Sequence, residues 1–114
     1  MVSFSAKVIR GQGRGREIGF PTANLDKTDL DLEPGVYAAE VEISGRPYKG
    51  LFHYGPQKTF GNLFTAELHI KDLSQDLYGQ TLKVSHLKRI RGIKKFKDAQ
   101  ALKTQINEDL KKIS

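Results

Sequence analysis

The densest chemistry in the chain lies in Gly11-Gln12-Gly13-Arg14-Gly15-Arg16-Glu17-Ile18-Gly19-Phe20-Pro21-Thr22-Ala23-Asn24. Glycines let backbone N–H groups approach an anion, and Arg14 and Arg16 add positive charge, so Gly13 to Arg16 can cradle phosphates. Thr22 and Asn24 lie two apart, which in an extended strand puts a hydroxyl and an amide oxygen on one face. Both are hard oxygen donors of the kind Mg²⁺ takes beside phosphate groups. The segment is not a dinucleotide-binding fingerprint, because Arg16 stands where the third glycine belongs and no βαβ unit surrounds it. It is not a P-loop either, because no Gly-Lys-Ser/Thr follows. The plainer reading of the same residues is a flexible basic loop that leads into an ordinary strand.

A second candidate is Glu67. Phe64, Ala66, Leu68 and Ile70 alternate with Thr65, Glu67 and His69, the period of a strand with one apolar face. A carboxylate on the polar face can act as a general base toward a hydroxyl, or it can be a solvated strand residue. His69 shares its face, whereas His53 and His86 read as structural or exposed. The third feature is charge. The chain carries +6, yet Thr81 to Lys97 holds seven basic residues and no acid, against 12 basic and 13 acidic residues elsewhere. That segment reads either as a solvated strand end and loop or as a site for phosphates.

The elements that must carry these residues follow from periodicity. Val2, Phe4, Ala6 and Val8 form one parity of a half-buried strand, and Arg10 to Pro21 reads as a loop. Glu33-Pro34-Gly35 signals a turn before a strand with Tyr37, Ala39, Val41 and Ile43 on one face. Ser44-Gly45-Arg46-Pro47 reads as a hairpin turn into a strand near Tyr48–His53. The 64–70 strand and a last strand opening at Leu82 and Val84 come next, with Tyr78-Gly79 ending the loop between them. Ala99, Leu102, Ile106, Leu110 and Ile113 then fall at helical spacing, with Asp98 as N-cap and Lys111 and Lys112 in the last turn. A lone amphipathic helix must cover an open face or mouth of the β-structure. The sequence therefore predicts a small antiparallel barrel with a docked C-terminal helix. Parallel α/β folds are excluded, because no helices separate the strands.

With 114 residues, 38% of them apolar and 28% charged, the chain is expected to fold as one globular domain. The absence of cysteine rules out disulfides, thiolate metal sites, iron–sulfur clusters and a cysteine nucleophile. No histidine pair at ligand spacing suggests zinc. Neither a membrane-length apolar run nor a secretory h-region is present, so a cytoplasmic protein without membrane contact is expected.

Gly13-Arg14-Gly15-Arg16 followed by Gly19-Phe20-Pro21-Thr22-Ala23-Asn24-Leu25 resembles the signature of riboflavin kinases. The resemblance continues through Gly35-Val36-Tyr37-Ala38, Thr59-Phe60-Gly61, Glu67-Leu68-His69, Asp76-Leu77-Tyr78-Gly79 and Arg91 with Lys95-Phe96, nearly the whole chain. It implies a mainly β fold: a six-stranded antiparallel Greek-key barrel with a C-terminal α-helix. It implies transfer of the γ-phosphoryl group of ATP, the co-substrate, to the 5′-hydroxyl of riboflavin, giving FMN and ADP with Mg²⁺. Glu67 would be the catalytic general base. Gly13, Arg14, Gly15, Arg16, Phe20, Pro21, Thr22 and Asn24 would bind the nucleotide, with Thr22 and Asn24 on the metal. Arg91, on a loop before the helix, would contact the flavin together with Tyr78 and Phe96, and Phe60 could add stacking surface.

Where the family usually carries Asn-Ile-Gly-x-Arg-Pro-Thr-Phe, this chain reads His53-Tyr54-Gly55-Pro56-Gln57-Lys58-Thr59-Phe60. Many bacterial relatives fuse the domain to an FMN adenylyltransferase. Here the expectation is a single riboflavin kinase-like domain over residues 1–114, without FAD synthesis, acting as a monomer. Two other readings stand beside it. One is a non-catalytic flavin- or nucleotide-binding barrel. The other, less favoured, is a small nucleic-acid-binding barrel, for which the basic segment and Gly45-Arg46-Pro47 would speak.

Overall fold

Strict alternation in the sequence becomes strand pairing in the computed structural model, which describes residues 3–10, 22–57, 63–73 and 75–113. The strands are β1 (Phe4–Ile9), β2 (Ala23–Leu25), β3 (Gly35–Ile43), β4 (Arg46–Gln57), β5 (Leu63–Ile70) and β6 (Thr81–Arg91), followed by helix α1 (Ala99–Lys111). They close into an antiparallel barrel in the order β1-β2-β5-β4-β3-β6. Strands β3, β4 and β5 form a meander and β6 returns beside β3, which is the Greek-key order. Among the described residues each strand thus has a neighbour on both sides, with β2 the short closing strand.

The inward parity makes the core. Tyr37, Ala39, Val41 and Ile43 of β3 are buried with Ala66, Leu68 and Ile70 of β5 and Leu82 and Val84 of β6. Phe52 sits at the centre with no exposed surface, its ring 5.4 Å from that of Phe4 and 5.9 Å from that of Tyr54. The Tyr54 hydroxyl fastens the loop before β3: it accepts from the Leu30 amide at 2.7 Å and lies 2.9 Å from the Thr28 carbonyl.

The β3–β4 hairpin is tighter than the sequence suggests. Only Ser44 and Gly45 turn, with φ of 50° and 79°, the left-handed pair of a two-residue hairpin. Arg46 and Pro47 already pair with Ile43 and Glu42. Proline is tolerated there because it opens the strand. Strand β4 also runs to Gln57 rather than ending near His53, since Gly50 and Gly55 interrupt the hydrophobic pattern without interrupting the pairing.

Helix α1 starts where expected, the Asp98 carboxylate accepting from the Ala101 amide at 2.8 Å. It covers a wall of the barrel rather than a mouth. Ile106, Leu110 and Ile113 pack on the outward residues Val36, Ala38, Leu51 and Ile90. Beside this apolar seam lies a charge that the period alone does not reveal. Asp109 has no exposed surface and is bound by Nε and Nη2 of Arg91, each at 3.0 Å from Oδ2, and by Gln105 Nε2 at 3.0 Å. Among the described residues, no helix is long and apolar enough to cross a membrane.

Candidate active site

The outer face of the barrel carries one continuous row. Ile9 pairs with Asn24, Asn24 with Glu67, Glu67 with His53, His53 with Val36, and Val36 with Arg91. Directly paired side chains in antiparallel strands share a face, with Cβ atoms roughly 4.5–5.5 Å apart. The pairing therefore places the end of the glycine-rich motif beside the glutamate on β5, although the two are remote in sequence. Glu67 is 8% exposed. It points away from the core, as its parity requires, yet it is shielded from water, unlike a solvated strand glutamate. Thr22 lies one residue before β2 and is half-buried. Asn24, directly opposite Glu67, brings an amide oxygen, a hard donor, to the carboxylate's face. Among the described residues no group of three or more His, Cys, Asp or Glu is placed to hold a metal ion.

His53, which by sequence reads as structural or exposed, lies on this outer row. It stands opposite Glu67, and its Nδ1 is enclosed with no hydrogen-bond partner. Burial, and after it the positive charge of Arg91, lowers its pKa from 6.5 to about 4, so the imidazole is neutral near pH 7. The sequence does hold a signal: His53 shares parity with Leu51, which α1 covers. A strand covered on both sides encloses its polar face too.

Arg91 is the last residue of β6, not a loop residue, because two register shifts between β3 and β6 carry the pairing as far as Val36. Its side chain is 16% exposed and bound to Asp109, its Nη1 donates to the Gly92 carbonyl at 3.2 Å, and its guanidinium lies 5.7 Å from the Phe96 ring centre. Arg91 and Phe96 are thus brought together. Tyr78 is not with them: it precedes β6, at the other end of an 11-residue strand. Its exposed ring carries Arg10, 4.3 Å from the centroid. Gly13, Arg14, Gly15, Arg16, Phe20, Pro21 and Phe60 lie outside the described residues.

The basic segment loses much of its one-sidedness once folded. Lys83 stands opposite Glu42, His86 meets Glu40 at 3.0 Å, Arg89 donates to the Pro34 carbonyl at 2.9 Å, and Arg91 is paired with Asp109. Acids from β3 and α1 thus face Lys83, His86 and Arg91, which gives part of that charge a structural role.

Comparison with known proteins bears on the family and the fold. A family model for flavokinase, described as riboflavin kinase, matches residues 1–114. The chain is 38% identical over 108 residues to a bifunctional riboflavin kinase/FMN adenylyltransferase of Bacillus subtilis (strain 168), covering 90% of this chain and 34% of that protein. It is 31% identical over 112 residues to the RNA-binding riboflavin kinase RibR of the same strain, covering 96% of this chain and 49% of that protein. A crystal structure described as a macrolide-efflux protein from Streptococcus pneumoniae matches with a TM-score of 0.84 at 37% identity, over 96% of this chain and 37% of that one. The chain thus spans between about a third and a half of the length of these relatives.

Proposed function

The chain belongs to the riboflavin kinase family, and on that premise we propose that it transfers the γ-phosphoryl group of ATP to the 5′-hydroxyl of riboflavin, yielding FMN and ADP. The observation that carries the proposal is the direct pairing of Asn24 with Glu67. It supports a site in which the phosphate-binding motif and a carboxylate base meet.

Phosphoryl transfer asks for positioning, charge neutralisation and an oriented nucleophile. Glu67 accepts the proton of the 5′-hydroxyl as its oxygen bonds to the γ-phosphorus and the bond to the β-phosphate oxygen breaks, leaving ADP. Its burial keeps water, the competing nucleophile, away from the carboxylate. Thr22 and Asn24 would hold Mg²⁺, which when bound neutralises charge on the phosphate oxygens. Arg14, Arg16 and the backbone from Gly13 would receive the polyphosphate, with Phe20 and Pro21 beside the nucleotide. Arg91, held in place by Asp109, and Phe96 form the proposed flavin-facing edge; Tyr78, at the other end of β6, would contribute only from there. Every residue named here comes from one chain, so a monomer suffices for this chemistry.

Incubation with riboflavin, ATP and Mg²⁺ followed by chromatography tests the activity: FMN should accumulate only when all three are present. Binding of both substrates without FMN would favour a non-catalytic flavin barrel.

A further inference from the structure

Helix α1 and the loop that leads into it carry more positive charge than the fold uses. Residues 92–114 hold six lysines and three acids, and each acid is already engaged. Asp98 caps the helix by accepting from the Ala101 amide. Asp109 is buried against Arg91, and Glu108 pairs with Lys111 at 3.2 Å. Among the described residues no carboxylate forms an ion pair with Lys94, Lys95, Lys97, Lys103 or Lys112. All five are exposed.

Helix stability does not account for their placement. Cations suit the C-terminal end of a helix, which explains Lys111 and Lys112. Lys94, Lys95 and Lys97 stand before the opposite end, and Lys103 follows in the second turn. The first turn supplies no acid to offset them. Charge kept where the fold gains nothing from it points to a ligand.

The surface around these lysines selects the ligand. Gln100, Lys103, Thr104, Asn107, Glu108 and Lys111 recur at three- and four-residue spacing and are exposed, so they make one face of α1. Beside it Lys71, just beyond β5, forms with Thr104, Asn107 and Lys111 part of the lining of a groove of about 520 Å³. Lysines interspersed with the Gln100 and Asn107 amides suit phosphates and sugars, which take hydrogen bonds from these side chains. A bilayer would require apolar residues to insert, and this face has none. A duplex would have to take α1 into its major groove, whereas Ile106, Leu110 and Ile113 pack the helix against the barrel wall.

We propose that the outer face of α1, with the loop before it, binds single-stranded nucleic acid through its phosphate backbone. This is a second activity. None of these lysines belongs to the row from Ile9 to Arg91, so it stands or falls independently of the kinase reading.

Fluorescence anisotropy of a labelled oligouridylate of about twelve nucleotides, a length within the usual single-strand site sizes, follows binding to the full chain. With about five phosphates neutralised, log K should fall against log salt with a slope of roughly −3.5, a loss of about a hundredfold between 50 and 200 mM. Replacing Lys103→Gln and Lys112→Gln together should reduce that slope by about 1.4 and weaken binding at low salt, with FMN formation unchanged. Glutamine is a good helix former, so the variant keeps its fold. Absence of binding at 50 mM salt, an unchanged slope in the variant, or tighter binding of a duplex would overturn the proposal. So would polyglutamate or anionic vesicles bound as tightly as the oligonucleotide, since charge alone would then explain the surface.

Discussion

Asn24 and Glu67 face each other across β2 and β5, joining the end of the glycine-rich motif to a buried carboxylate. The relationship depends on a strand of only three residues, Ala23–Leu25, held between β1 on one side and β5 on the other. Barrel closure thus has a structural consequence: without the β1–β2 and β2–β5 pairs, Asn24 and Glu67, the residues proposed for the metal and the base, would not share a face.

Glu67→Gln is expected to lower kcat by about 10²–10⁴-fold with little change in affinity for riboflavin or ATP. Glutamine keeps the shape and a hydrogen-bond acceptor but cannot take the proton. Single-turnover assays and thermal melts on one preparation separate this outcome from a structural role, in which stability would fall and turnover per folded molecule would persist.

Thr22→Val preserves side-chain shape and removes one hard oxygen. Loss of nearly all activity with an unchanged melting curve is the expected result. Titration of Mg²⁺ checks the assignment. A variant that keeps wild-type turnover at limiting Mg²⁺ would show that Thr22 does not hold the cation.

Asp109→Ala leaves the Arg91 guanidinium, 16% exposed, without its counter-charge. Breaking a buried ion pair from one side costs about 3–5 kcal/mol, so denaturant unfolding should show a loss of that order. Replacing both partners, Arg91→Met with Asp109→Leu, should restore much of the stability. If Arg91 also meets the flavin, the double variant should regain its fold without regaining riboflavin affinity.

The depressed pKa of His53 sets a pH dependence. Above pH 6.5, its ordinary value, the ring is neutral in both folded and unfolded chains and contributes none. As pH falls below 6.5 the unfolded chain binds a proton that the folded chain refuses until about pH 4, so stability falls across that window. The full loss is roughly 3 kcal/mol at 1.36 kcal/mol per pH unit. Urea unfolding at pH 7, 5.5 and 4.5 should show the decline, and His53→Asn should remove this component of it.

Much of the scaffold was legible because its signals are local. The alternation at Tyr37–Ile43 and Phe64–Ile70, the period of α1 and its Asp98 cap report structure within a few residues. Strand β4 was read too short because Gly50 and Gly55 lack the side chains that make a pattern, while backbone pairing does not need them. The site was legible as separate parts and not as an assembly. Parity places Glu67 outside the core but does not show that Asn24 and His53 flank it, since that follows from long-range pairing. Asp109 sits three residues after Ile106 at the border of the helix stripe. Only the position of Arg91 at the end of β6 turns that carboxylate inward.

The most direct measurement supplies ATP labelled in its γ-phosphate to the wild-type protein with riboflavin and Mg²⁺, and follows the label by chromatography. The account requires the label to appear in FMN, in step with the ADP formed, and to do so at least a hundredfold more slowly in Glu67→Gln. Label released only as inorganic phosphate, or left in ATP while riboflavin and nucleotide are both bound, would contradict it.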